Sequence, residues 1–115
     1  MIFQYKSEKQ DNVYVFHLFG ELIDREQPKP MLEEIDRVIA GGNNLILLDM
    51  KSLKYINSSG LNVLIHVLTK SRKAGGDVAI SNVNEKNKEL LVITKLDSIF
   101  NVCKTIEEGI ILLTQ

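Results

Sequence analysis

The sequence is poor in most of what specialised chemistry requires. Cys103 is its one cysteine, so no internal disulfide can form and a reducing compartment is expected. Basic and acidic residues number 14 and 15, a net charge of −1, which leaves no cationic face for neutralising phosphates; no nucleic-acid partner is expected. No apolar stretch approaches the ~20 residues that a membrane span needs. The first ten residues, MIFQYKSEKQ, lack the basic-then-apolar layout of a signal peptide. The expectation is a cytoplasmic protein without direct membrane insertion, and the start at Met1 without membrane helices disfavours a domain fused to a transporter. The histidines, His17 and His66, have no second histidine or cysteine at ligand spacing, and no glycine-rich phosphate loop occurs, so neither metal nor cofactor is expected. Repeats, low-complexity tracts and linkers are absent too. The 115 residues therefore read as one domain, 1–115, large enough for a single modest core.

What is present centres on Leu45 to Lys73. Leu45-Ile46-Leu47-Leu48, ending at Asp49, is an all-apolar run of the kind that forms a strand covered on both faces. Met50 to Ile56 reads as a connection, and Asn57-Ser58-Ser59-Gly60 as a helix start, because serine and asparagine oxygens accept from the unpaired N–H groups of a first turn. At 100° per residue, Leu61, Val63, Leu64, Ile65, Val67 and Leu68 fill one arc, while Asn62, His66, Thr69, Lys70 and Lys73 fill the other. The helix is expected to be heavily buried with one wet stripe.

Before this segment, Ile2–Lys6 and Val13–Phe19 flank the turn signal Asp11-Asn12 and predict an antiparallel hairpin. The second strand, apolar in both phases, belongs inside the sheet, and His17 within it reads as a hydrogen-bonded packing residue. Gly20-Glu21-Leu22 ends that strand. A proline-containing stretch, residues 23–30, delays regular structure, and Pro30 suits the first position of a helix spaced by Met31, Leu32, Ile35, Val38 and Ile39 and stopped at Gly41-Gly42. After the central helix, Val78–Ser81 predicts a strand that neighbours the Leu45–Leu48 strand and runs parallel to it. Asn82–Lys86 reads as a polar loop and Leu90 to Leu96 as a third helix. Residues 99–103 read as an edge strand or extended segment, and Thr105 with Glu108 as the capping box of a last helix. The fold class expected is α/β, with a mixed sheet of four to five strands and about four helices packed mainly on one face.

Asp49 followed by Tyr55-Ile56-Asn57-Ser58-Ser59-Gly60-Leu61 resembles the signature of STAS domains (sulphate transporter and anti-sigma factor antagonist). Gly20-Glu21-Leu22, the Leu96–Val102 segment and the capped tail Thr105–Ile110 follow the same family order, so the resemblance covers nearly the whole chain. It implies an anti-sigma factor antagonist, not an enzyme. In this reading Ser58 is the phosphorylated residue and Asn57, Ser58, Ser59 and Gly60 are the contact loop. Glu21 or Asp24 takes a partner-facing acidic role, and Asn62 and His66 extend the surface. The implied partners are an anti-sigma factor with serine kinase activity and a phosphoserine phosphatase. Asn57 departs from the aspartate usual before the serine, and residues 23–30 depart from the usual loop.

Two other readings compete. Serine at a helix start is usually only a cap, and a STAS adaptor in a transport or signalling complex needs no regulated serine. A nucleophilic Ser58 ranks last, because INSSG lacks the glycine two residues before the serine that a nucleophile elbow uses, and neither histidine has a route to a triad.

Overall fold

A computed structural model describes residues 2–115. Five strands form one sheet in the order β1-β2-β3-β4-β5: Gln4–Gln10, Val13–Leu22, Leu45–Ile56, Asp77–Ser81 and Asn101–Cys103. The hairpin expected around Asp11-Asn12 forms, with β1 antiparallel to β2, and every later pairing is parallel. Between the strands run α1 (Lys29–Ala40), α2 (Ser58–Lys73) and α3 (Glu85–Ile93), and α4 (Ile106–Thr114) closes the chain.

Apolar residues on alternate sides of the strands make two cores. The larger joins Phe16, Leu18, Ile46, Leu48, Val78 and Ile80 of the sheet to Met31 and Ile35 of α1, to Leu61, Leu64, Val67 and Leu68 of α2, and to Leu91 of α3. Across the sheet, Val13, Val15, Leu47 and Ala79 pack against Leu113, Ile106 and Ile110 of α4. Three helices thus share one face and α4 takes the other. A strand with cover on both sides must be apolar at every position, which is why residues 45–48 read as they do.

The sequence expectations need correcting at several boundaries. Met50–Ile56 is not a connection: β3 is 12 residues long, and its second half continues along β2 through Phe19↔Ser52, Gly20↔Leu53, Glu21↔Tyr55 and Leu22↔Ile56 after register shifts. Lys51, Ser52 and Lys54 disguise it because they are exposed, whereas Leu53 and Ile56 remain in the core. The first strand starts at Gln4 rather than Ile2. Helix α1 opens at Lys29 after Pro28, leaving Pro30 one position further in. The supposed polar loop 82–86 already contains the start of α3, capped by Asn84, and α3 stops at Ile93 because Lys95 turns left-handed with φ 62°. The capping box in α4 is displaced: Thr105 accepts from Glu108 N at 3.1 Å, but the Glu108 carboxylate accepts from Lys104 N.

Candidate functional site

The second half of β3 carries the chain out of the sheet and straight into α2. Asn57 N donates to Leu22 O at the end of β2, and Asn57 Nδ2 donates to Ile23 O at 3.1 Å. Asn57 is also the cap: in extended conformation, its Oδ1 accepts from Gly60 N at 3.0 Å. One amide side chain therefore binds the loop to the sheet and closes the first turn. The two serines that follow are released from capping. Ser58, first residue of the helix, is exposed, and among the described residues its hydroxyl engages no hydrogen bond. Ser59 is half-buried in the first turn, and of the asparagine and serines suited to open the helix it is Asn57 that caps it.

Gly60 explains how closely this turn can approach the sheet. A Cβ there would lie 2.1 Å from Leu22 O and 2.8 Å from Ile56 Cγ2, so no larger residue fits without moving the backbone of β2 or α2. The approach fixes the backbone that carries the exposed hydroxyl.

Ser58 stands between two open depressions. One, of about 300 Å³, is lined by Tyr55, Ile56, Asn57 and Ser58 on one side and by Lys86, Asn87, Glu89, Leu90 and Ile93 of α3 on the other. The second, of about 290 Å³, is lined by Ser58, Leu61, Asn62 and Ile65 with Thr94 and Leu96. Ser58 is the residue they share. Apolar side chains surround the hydroxyl: Tyr55 and Ile65 are each 37% exposed and Ile93 77%. Ile65 was expected inside the buried arc of α2, but it lies at the arc's edge and faces out beside Asn62.

The other residues singled out from the sequence are distributed unevenly. Asn62 shares a depression with Ser58, whereas His66, half-buried one turn on, lines neither. Lys70, further along the wet stripe, pairs with Asp36 of α1 at 3.2 Å. Glu21 is half-buried and in register with Tyr55, which places it on the strand beside the loop. Asp24 organises the proline-containing stretch. Its Oδ1 accepts from Glu26 N and Gln27 N, its Oδ2 accepts from Gln27 Nε2, and these Gln27 bonds, first the backbone one, hold its carboxyl below the usual range. Tyr55, Lys86, Ile65 and Ile93 were not singled out as surface residues. Val92 and Ile93 did carry a signal: with Leu91 they put three apolar residues in a row on a helix, and only one can face the core.

Asp49, assigned to the serine motif by resemblance, works elsewhere in the sheet. His17 on β2 donates through Nδ1 to Asp49 Oδ2 at 2.7 Å and through Nε2 to Glu8 Oε2 at 2.6 Å. Asp49 Oδ1 accepts from Lys51 N and Asn82 Nδ2, each at 3.1 Å. His17 is indeed a hydrogen-bonded packing residue. Partial burial opposes its charged form, but the hydrogen bonds and charges of Asp49 and Glu8 outweigh burial, and its pKa is raised. The His17 bond in turn lowers the pKa of Glu8. This cluster ties β1, β2 and β3 together where the register of β2 and β3 shifts, just before the strand heads for Ser58.

Residues 4–109 match the STAS domain. The fold is similar to that of a Thermotoga maritima protein provisionally named an anti-sigma factor antagonist, with a TM-score of 0.84 and 25% identity over 96% of this chain and 95% of that one. An anti-sigma factor antagonist from Mycobacterium paratuberculosis gives a TM-score of 0.81 at 21% identity, covering 98% and 95%. The Bacillus cell fate determinant SpoIIAA in its phosphorylated form gives 0.75 at 18%, covering 97% of this chain and 100% of that one. Matched in sequence across residues 4–109 and in fold over nearly its whole length, the chain belongs to the STAS domain family.

Proposed function

We propose that this protein is an anti-sigma factor antagonist that works in the cytoplasm as a binding module rather than an enzyme. Unphosphorylated, it binds an anti-sigma factor with serine kinase activity and so frees a sigma factor. The bound kinase transfers the γ-phosphoryl group of ATP to Ser58, binding is lost, and a phosphoserine phosphatase restores the free hydroxyl. The observation that carries this reading is the uncommitted hydroxyl of Ser58, exposed at the seam of two depressions with apolar side chains on both sides. A cap would be spent on the backbone; this hydroxyl is left for a visitor.

The contact surface we propose is the Asn57–Gly60 loop with Asn62, Tyr55, Ile65 and Ile93. Exposed aromatic and aliphatic side chains supply the area that holds a partner, and the polar loop fixes its register. Glu21, on the neighbouring strand, adds an acidic flank. Phosphorylation adds about −1.5 to −2 charges and three acceptor oxygens. Within the domain this is tolerated, because a phosphate at a helix N-terminus gains ~0.3–1 kcal/mol from the N–H groups and dipole. Against a docked partner it is costly. Like charges at about 4 Å repel by on the order of 4 kcal/mol at an effective dielectric near 20, and each ~1.4 kcal/mol is tenfold in affinity. The switch therefore acts at the interface and leaves the fold intact.

Incubation with ATP and the cognate kinase should add one phosphate to the wild type and none to Ser58→Ala, read by intact mass. In a pull-down, Ser58→Ala should retain the anti-sigma factor and Ser58→Asp should lose it at least tenfold. Unchanged mass, with full binding by Ser58→Asp, would point to a non-switching adaptor instead.

A further inference from the structure

The depression beside Ser58 has a cation on its far wall, and the way α3 is anchored gives that cation its place. Asn84 caps α3 by accepting from Asn87 N at 2.8 Å, and its Nδ2 donates to Leu53 O at 3.4 Å and Lys54 O at 3.3 Å. Asn87, only 2% exposed, donates from Nδ2 to Leu53 O at 3.2 Å. The first turn of α3 is thus hydrogen-bonded to the last stretch of β3, a few residues ahead of the serine. Lys86 lies between these two asparagines and lines the depression with Ser58. Its Nζ sits 5.1 Å from the centroid of the Tyr55 ring, and among the described residues it forms no ion pair.

We propose that Lys86 is the counter-charge for a phosphate on Ser58: once Ser58 is phosphorylated, the Lys86 ammonium leaves the face of Tyr55 and pairs with the phosphate across the depression. This deepens the function proposed above and rests on Ser58 being the modified residue. The exchange is downhill because a cation over an exposed ring is held weakly, whereas an ammonium–phosphate contact is charge-assisted and hydrogen-bonded. Glu89 adds a reason. It is the carboxylate lining the same depression, and a phosphate there would face it unshielded without Lys86. Lys88, which lines a neighbouring depression with Glu85, Val92 and Ile93 but not the one with Ser58, has no such role. The pairing fills the space that a partner's side chain would enter and bares the Tyr55 ring, so phosphorylation reshapes the surface as well as charging it.

The test uses the full chain with phosphoserine installed at position 58 by coded incorporation, which makes it independent of any kinase. The second ionisation of the phosphate, ordinarily near pH ~6, is followed by phosphorus NMR. With Lys86 present it should be lower than in Lys86→Met by about half a unit, the shift that an exposed ion pair corresponds to, and Lys88→Met should match the wild type. In unmodified protein the Lys86 Cε protons should show an upfield ring-current shift, lost when phosphoserine is present. Equal ionisation in wild type and Lys86→Met, an equal displacement in Lys88→Met, or unmoved Lys86 protons would each overturn the proposal. Binding to the anti-sigma factor does not enter these readouts. A phosphoserine protein that still bound it would sink the proposed function and leave the Lys86 pairing to be judged on its titration.

Discussion

Helices α2 and α4 begin in nearly the same way and use their hydroxyls in opposite ways. Each follows a strand, and each has an extended cap residue, Asn57 or Thr105, whose side-chain oxygen accepts from the N–H three residues on. In α4 the hydroxyl belongs to the cap and is consumed by it. In α2 an amide does the capping, and the first hydroxyl comes one position later with nothing to hold. That single step along the chain separates a structural hydroxyl from one available to another protein. The glycines at the third helical position and the fourth differ in the same sense: Gly60 lies against a backbone carbonyl, whereas Gly109 lies against the movable end of the Leu47 side chain.

The glycine pair offers the largest effect by which the contrast can be broken. Gly60→Ala drives a methyl to 2.1 Å from Leu22 O, which only a backbone shift can relieve. It should cost about 3 kcal/mol, as severe overpacking does, and should weaken partner binding by displacing the loop. Gly109→Ala would put a methyl 2.5 Å from Leu47 Cδ1, a contact that a rotamer change relieves. The helix propensity gained, about 1 kcal/mol, offsets much of that adjustment. Urea titration of both variants checks the difference; equal destabilisation would mean that the α2 turn is no more constrained than the α4 one.

Next in size is the cap itself. Asn57→Ala removes the acceptor for Gly60 N and the donor to Ile23 O together. A loss of about 1–2 kcal/mol is expected, larger than for Thr105→Ala, whose side chain serves the helix alone. Denaturation midpoints of the two variants, side by side, decide it.

How much of this was legible in the sequence depends on whether a residue's role is local. The helix start at 57–60, the Thr105 cap and the all-apolar strand 45–48 follow from chemistry within a few residues of each position, and all could be read. Residues 50–56 could not, because they pair with β2 on a part of the sheet that α4 does not cover, and their lysines read as loop. Asp49 was read as part of the serine motif, yet besides the nearby Lys51 N its hydrogen-bond partners are His17 and Asn82, both more than 30 positions away. The surface around Ser58 was half legible. Asn57 to Asn62 are contiguous, but Lys86 and Ile93 reach the serine only through the anchoring of α3 on Leu53, a pairing that no periodicity encodes.

The His17 cluster gives a smaller effect, and its direction can be worked out. Both ring nitrogens face carboxylate oxygens, so only the doubly protonated ring satisfies both. Its folded pKa is raised above the ordinary value near ~6.5. Its contribution to stability is thus complete below that ordinary value and is lost as pH rises through the raised one. Glu8, whose pKa is lowered, sets the acid side: its share is present above the ordinary 4.5 and lost as pH falls through the folded value. Wild-type stability relative to His17→Gln should therefore be greatest between these limits and decline on the alkaline side. Parallel profiles from melting curves across that range would remove the cluster from the account of how β2 and β3 are held in register.

The smallest expected effect is the one that most sharply separates the two helix starts. Ser58→Ala removes a hydroxyl that caps nothing and is already exposed, and alanine is a better helix former than serine. Stability should therefore change by no more than about 0.5 kcal/mol, within the range of ordinary surface substitutions. Thr105→Ala, the deletion of a comparable hydroxyl one position earlier in its helix, should cost about 1 kcal/mol. Measured in the same buffer, the pair isolates the value of a hydroxyl in the cap from that of one just past it. A Ser58→Ala loss as large as that of Thr105→Ala would show that Ser58 is structural. It would then be an ordinary part of the first turn, with its hydroxyl unavailable to a kinase.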